Sequence, residues 1–141
     1  MTLSILLTIH SWVRWLALLA AIIALVKHLI GWLGGGRYDG MARGSLAAFS
    51  GLLDLNVVIG LIQLVVNWGA YSAVGFPRTQ VEHAFALLLA VIAAHLPARL
   101  WRDKADTIRY RNTFFAIAAS VLLVVAGVMA LQGERWIFRG L

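Results

Sequence analysis

The stretch LSILLTIHSWVRWLALLAAIIALVKHLIGWL, residues 3–33, determines the fold class of this chain. Most of its side chains are apolar, and it exceeds the roughly 20 residues that a helix needs to cross a bilayer core. Inside it, the run HSWVRW, residues 10–15, holds a histidine and an arginine one helical turn apart. Because such groups are costly inside a membrane, they are candidates for a functional site, and the rest of the chain is expected to supply their partners.

The composition of the chain is that of a membrane protein. Of its 141 residues, 62% are hydrophobic and only 13% are charged, whereas soluble domains carry about 25% charged residues. Residues 1–141 are expected to form a single transmembrane domain. Cysteine is absent, which excludes disulfides, iron–sulfur clusters, thiolate zinc sites and covalently attached c-type haem. The net charge of +6 is attributed to cytoplasmic loops and anionic lipid rather than to nucleic acid.

Four apolar runs predict four membrane-spanning segments, at about 3–33, 46–68, 80–100 and 114–132. Each must be helical, because the bilayer core offers no water to the backbone. The linkers are short, which favours antiparallel neighbours and predicts an all-α, up-down-up-down four-helix bundle. Lysine and arginine are concentrated around the first and third linkers, so these are expected to be cytoplasmic and both termini to lie on the outer side.

All four histidines lie on the first and third spans. Depth sorts them into an outer pair, His10 with His83, and an inner pair, His28 with His95. Eighteen positions separate His10 from His28, so both lie on one helical face; His95 lies twelve positions beyond His83, about 120° from its face. The outer pair is therefore expected to face the bundle centre, and the inner pair to do so only if the third helix is kinked or rotated, for which Pro97 is a candidate.

Two imidazoles on facing helices, surrounded by small residues, suit the axial positions of a haem iron. The sequence therefore predicts a b-type haem ligated by His10 and His83, with Arg14, Arg78 and Arg135 as candidate cationic partners for its propionates. His28 and His95 are candidates for a second haem. Copper, a chlorophyll-type pigment and simple interhelical hydrogen bonding are open alternatives for the same histidines.

The HSWxRW run at residues 10–15, the Glu82-His83 pair at the start of the third span and the four spans in about 140 residues carry a resemblance. The chain resembles small four-helix bacterial membrane proteins that are labelled "cytochrome b". The resemblance implies that His10 and His83 face a haem, and that the chain crosses the bacterial inner (plasma) membrane several times. The large quinol-oxidising cytochromes b carry two widely spaced histidines on each of two helices. Here the third span does not keep its two histidines on one face, so one haem is expected and a second is left open.

The second span carries polar residues on two faces. Asp54 is expected to form an ion pair with Arg14, and its alternative role is to carry protons or to bind a quinone. On the nearly opposite face a polar stripe is expected to hold helices or subunits together; its members are Asn56, Gly60, Gln63 and Asn67. The fourth span has no ionisable group and is expected only to pack.

These residues predict an electron-transfer protein, more an electron carrier or subunit than a stand-alone enzyme. It is expected to exchange electrons with a quinone or a partner protein, alone or as a small subunit of a respiratory or photosynthetic complex. A different interpretation is a cofactor-free accessory or assembly subunit, in which the histidines serve packing. Metal or pigment binding, or transport by an oligomer, are further alternatives. The expected partners are lipid, a quinone, and other membrane subunits or further copies of the chain, but not nucleic acid.

Overall fold

The computed structural model describes residues 2–131, 133 and 136, and this part of the chain is helical, without strands. Its helices are α1 (Thr2–Gly34), α2 (Gly40–Val66), α3 (Trp68–Tyr71), α4 (Arg78–Leu100) and α5 (Asp106–Ala130). Four of them, α1, α2, α4 and α5, are long and apolar enough to cross a membrane. The prediction of an all-α chain with four candidate transmembrane helices is thus confirmed.

Two of the long helices begin earlier than the apolar runs indicate. α2 begins at Gly40 rather than near residue 46, because the carboxylate of Asp39 caps it by accepting the Ala42 N–H at 2.8 Å. α5 begins at Asp106 rather than near 114, so part of the charged third linker is helical; an acidic residue in a first turn favours the helix dipole. Apolar runs therefore mark the membrane-crossing part of a helix but not its polar turns. The expected end of the fourth span at residue 132 lies outside the described residues.

The long helices pack in a ring: α1 lies against α2 and α5, and α4 lies against α2 and α5. α1 and α4 therefore lie diagonally across the bundle, as expected if the histidines of both helices face its centre. The early part of α1 meets the late part of α2, where His10 lies beside Gly60. The middle of α4 meets α5, where the Ser120 hydroxyl donates to the Ala90 carbonyl at 2.8 Å. Both chain termini lie outside the described residues, so their outward placement stays a prediction.

The centre of the bundle combines alanines with a few larger apolar residues. Ala21, Ala24, Ala90 and Ala94 are almost completely buried, and Phe49 and Ile117 fill the space between them. Small residues allow transmembrane helices to approach closely. The outer surface, by contrast, exposes large apolar side chains along every long helix, among them Ile22, Ile30, Val58, Val65, Phe85, Ile92 and Leu122. An apolar surface of this extent is compatible with contact to lipid.

The two ends of the bundle differ in character. At the terminal end, where α1 begins and α5 ends, the helices surround a cavity. At the linker end, where α1 ends and α5 begins, an aromatic cluster fills the space between the helices: Trp32, Tyr38, Tyr110 and Phe114. The four sequence-predicted histidines divide between these two ends and the outer surface.

Candidate functional site

A cavity of about 340 Å³ lies between the four long helices at the terminal end. His10 and Arg14 of α1 and His83 of α4 line it, so three of the predicted site residues share one space. The volume lies within the range of 300–1,000 Å³ typical of small-molecule sites.

The ring of His83 has a defined tautomer. Its Nδ1 lies 2.8 Å from the carbonyl oxygen of Gly127 on α5, and because a carbonyl only accepts, Nδ1 carries the hydrogen. In the neutral ring the lone pair is therefore on Nε2. A backbone carbonyl that holds the other ring nitrogen is the usual support of a metal-bound histidine. The prediction that α5 serves packing alone is incomplete, because α5 supplies this acceptor.

Two glycines allow this arrangement. A Cβ at Gly127 would overlap the side chain of Leu87, so glycine lets α5 come close enough to α4 for the carbonyl to reach His83. A Cβ at Gly60 of α2 would lie 3.2 Å from Cε1 of His10, so the His10 ring lies directly against the α2 backbone. His10 and His83 are thus each positioned by a close approach of a neighbouring helix.

Two amide side chains of α2 join the site, although the polar stripe to which they belong was expected to hold helices or subunits together. Asn56 and Gln63 are buried and line the cavity. Within residues 2–131, 133 and 136, Nδ1 of His10, Oδ1 of Asn56 and Nε2 of Gln63 are buried without a hydrogen-bond partner. An unpaired buried polar atom costs about 1–3 kcal/mol, so the cavity favours an occupant that offers polar contacts.

The polar stripe on α2 is the signal that could have identified these amides. Gly60 lies in the stripe with Asn56 and Gln63 and is the point where His10 meets α2. The stripe therefore faces the cavity rather than a neighbouring subunit. Asn67, the last member of the stripe, instead donates its side-chain amide to the Gln63 carbonyl at 2.9 Å near the end of α2.

His28 has partners on both ring nitrogens. It is fully buried; Nδ1 donates to the Ala24 carbonyl at 2.7 Å, and Nε2 lies 3.0 Å from the Tyr38 hydroxyl. Burial raises the pKa of Tyr38, which keeps the hydroxyl protonated as the donor to Nε2. The Tyr110 ring packs edge-on against His28. In this arrangement His28 has no lone pair for a metal and belongs to the aromatic cluster of the linker end.

His95 is paired with an acid on the surface of the bundle. Its Nε2 lies 2.9 Å from Oδ2 and 3.0 Å from Oδ1 of Asp54, and the two side chains are 46% and 42% exposed. The predicted partner of Asp54 was Arg14, and this prediction is wrong. Arg14 lines the cavity at the terminal end, whereas α4 turns His95 away from the His83 face and toward α2. His28 and His95 therefore have separate partners and do not share a cavity.

The two histidines of the cavity supply fewer ligands than a bare metal ion usually takes. Within the described ranges, no group of three or more histidine, cysteine or acidic side chains is arranged to hold a metal. A bare zinc ion takes four ligands, but haem iron already has four porphyrin nitrogens and needs only axial ligands. The two-imidazole set therefore fits a haem better than a bare ion. Comparisons with protein-family models, with curated proteins and with solved structures found no match to this chain.

Proposed function

We propose that this protein is a membrane electron-transfer protein that binds one b-type haem in the cavity at the terminal end. His10 and His83 would hold the haem iron through their imidazole nitrogens. The hydrogen bond from His83 Nδ1 to the Gly127 carbonyl carries the proposal, because it assigns the free lone pair to Nε2 of a ring that lines the same cavity as His10. Bound haem supplies reversible one-electron transfer.

The other residues of the cavity have roles that suit this occupant. Arg14 lines the cavity one turn from His10, and its guanidinium is assigned to a propionate, a pairing that favours arginine. The amides of Asn56 and Gln63 offer an acceptor and a donor to the polar edge of the ligand. The apolar side chains of Leu87 and Val124 line the same cavity and limit the access of water.

The proposal is for one haem and not for two. Both ring nitrogens of His28 are engaged by Ala24 and Tyr38, and His95 is engaged by Asp54. A quinone or a partner subunit is the proposed electron-exchange partner, and the bacterial inner membrane is the proposed location. Both follow from the resemblance described above and from the apolar surface of the bundle.

The deciding experiment is a dithionite-reduced minus oxidised visible spectrum of detergent-purified protein from haem-supplemented cells. We expect a b-type α band and one haem per chain. The band is expected to disappear in His10→Ala and in His83→Ala and to persist in His95→Ala, the matched control on α4. A flat spectrum from protein that is helical and monodisperse would overturn the proposal, as would equal loss of haem in all three variants.

The two amides favour a second candidate, a quinone-binding subunit without haem. The reduced form, a quinol, would satisfy both atoms, because one hydroxyl can donate to Asn56 Oδ1 and the other can accept from Gln63 Nε2; the oxidised quinone only accepts and would satisfy Gln63 alone. Extraction of the purified protein with organic solvent and chromatography of the extract distinguish the two. A colourless protein that carries quinone, and loses it in the double variant Asn56→Leu/Gln63→Leu, would support this candidate. A haem band with no quinone in the extract would exclude it.

A further inference from the structure

A second cavity, of about 480 Å³, lies at the linker end between α2, α4 and the start of α5. Three arginines from three different segments line it: Arg43 of α2, Arg102 of the linker at residues 101–105, and Arg109 of α5. The acidic residue Asp103 also lines it, which leaves an excess of positive charge. None of the residues proposed to hold the haem lines this space, so the two sites stand independently; His95, which pairs with Asp54, does line it.

Tyr38 holds two of these guanidinium groups in place. The Arg109 guanidinium lies 3.9 Å from the centroid of the Tyr38 ring, and Nη1 of Arg43 donates to the Tyr38 carbonyl at 3.2 Å. The Tyr38 side chain is itself buried and bonded to His28. A guanidinium has five N–H donors, so Arg43 keeps further donors after this contact. Arg43 and Arg109 are thus held at one edge of the cavity, and Arg43 keeps further N–H donors after its contact with Tyr38.

Small side chains of two transmembrane helices also line the cavity. Ala47 of α2 and Ala94 and Ala98 of α4 line the cavity, and α2 and α4 have the least extensive contact among the neighbouring long helices. The space therefore combines a cationic edge at the end of the bundle with an apolar wall that belongs to membrane-spanning helices. Basic pockets of this kind between transmembrane helices bind anionic lipid headgroups.

We propose that this second cavity binds the phosphate group of an anionic phospholipid at Arg43, Arg102 and Arg109, with its acyl chains against the exposed apolar side chains of α2 and α4, such as Met41 and Leu100. A free phosphate ion has the same charge chemistry. A free phosphate ion would gain nothing from contact with the alanine side chains or from a position between membrane-spanning helices, and these features therefore favour the lipid.

The test uses the full chain in mild detergent and measures lipid binding by native mass spectrometry and by the thermal unfolding midpoint. Phosphatidylglycerol, phosphatidylcholine and inorganic phosphate are added separately. The double variant Arg43→Gln/Arg102→Gln is compared with Arg99→Gln/Arg111→Gln, which removes two exposed arginines at the same end that do not line the cavity. Arg109 is left intact because it stacks on Tyr38.

We expect phosphatidylglycerol, but not phosphatidylcholine or inorganic phosphate, to bind and to raise the unfolding midpoint. Removal of each cavity arginine is expected to weaken binding about fivefold, and the control pair is expected to bind as the wild type does. Equal binding of both lipids, or an equal loss in the control pair, would overturn the proposal. Stabilisation by inorganic phosphate alone would overturn the lipid assignment. Should the double variant fail to fold, the single variant Arg102→Gln in the exposed linker provides the same comparison with Arg99→Gln.

Discussion

Nε2 of His95 lies 2.9 Å from Oδ2 of Asp54, and this pair joins α4 to α2 on the outer surface of the bundle. Both residues belong to helices long enough to cross a membrane. A lone carboxylate facing lipid is expensive, so each group depends on the other. The pair also bridges the neighbouring helices that pack least extensively.

We expect the pair to appear as a coupling energy in a double-mutant cycle. Asp54→Leu and His95→Leu each leave one polar group without its partner, whereas the double variant removes both. The double variant should be more stable than the sum of the single effects predicts, by about 0.5–1.5 kcal/mol, the range for polar contacts between membrane helices. The measurement is unfolding in mixed micelles by titration with a denaturing detergent. Additive single effects would show that the contact does not stabilise the bundle.

The partner of Asp54 could not be predicted from the sequence alone. Depth along the helices allows Asp54 to meet either Arg14 or His95. The choice depends on how far α4 is rotated about its axis, and a rotation has no direct signature in one sequence. Depth and helical phase sufficed for His10 and His83, because both lie on the faces that small residues mark as inward.

Other parts of the site depend on groups that a side-chain pattern does not report. The acceptor for His83 is the backbone carbonyl of Gly127, and every residue has a carbonyl. Asn56 and Gln63 were visible as a stripe, but whether a stripe faces a cavity or a neighbouring subunit is decided by the packing of α2 against His10. The four candidate spans, by contrast, follow from the physical cost of polar groups in lipid and are predictable from the positions and lengths of the apolar runs.

Gly60→Ala is expected to weaken haem binding. The added methyl would lie 3.2 Å from Cε1 of His10 and push the ring out of its position. We expect haem affinity to fall about tenfold, the lower end of the effects seen when the support of a metal ligand is changed. The measurement is a haem titration of the apoprotein, followed in the Soret region.

Gly51→Ala is the matched control on the same helix. A Cβ at Gly51 meets nothing within 4 Å, so haem binding should be unchanged and the helix should gain about 0.5–1 kcal/mol from the replacement of glycine. Equal haem affinity in Gly60→Ala and Gly51→Ala would argue against the assignment of His10 as a ligand.

Tyr38→Phe is expected to destabilise the linker end without altering haem content. The substitution removes the hydroxyl that donates to Nε2 of the fully buried His28. An unpaired buried nitrogen costs about 1–3 kcal/mol, and detergent-induced unfolding measures this loss. Tyr71→Phe, at the end of α3, is a control for stability alone, because Tyr71 lines the cavity proposed to hold the haem. Loss of a haem in Tyr38→Phe, rather than loss of stability, would mean that His28 is a ligand after all.

The stability of the linker end is expected to fall in acid because of Asp39. Its Oδ2 accepts from Nζ of Lys27 at 2.6 Å and its Oδ1 accepts from the Ala42 N–H. The hydrogen bond from Lys27, and then that from Ala42, lower the pKa of Asp39 below its usual value of 3.8. Because the carboxylate is the favoured form in the folded chain, its stabilisation is complete above the unfolded pKa and is lost as the pH falls through the lowered one.

The unfolding midpoint, measured from about pH 6 down to about pH 3, tests this directly. Asp39→Asn should be less stable than the wild type at the upper pH, and the difference should shrink as the wild-type carboxylate is protonated. A difference between wild type and Asp39→Asn that stays constant over the whole range would show that the amide replaces the carboxylate as a cap, and that the charge of Asp39 does not stabilise the fold.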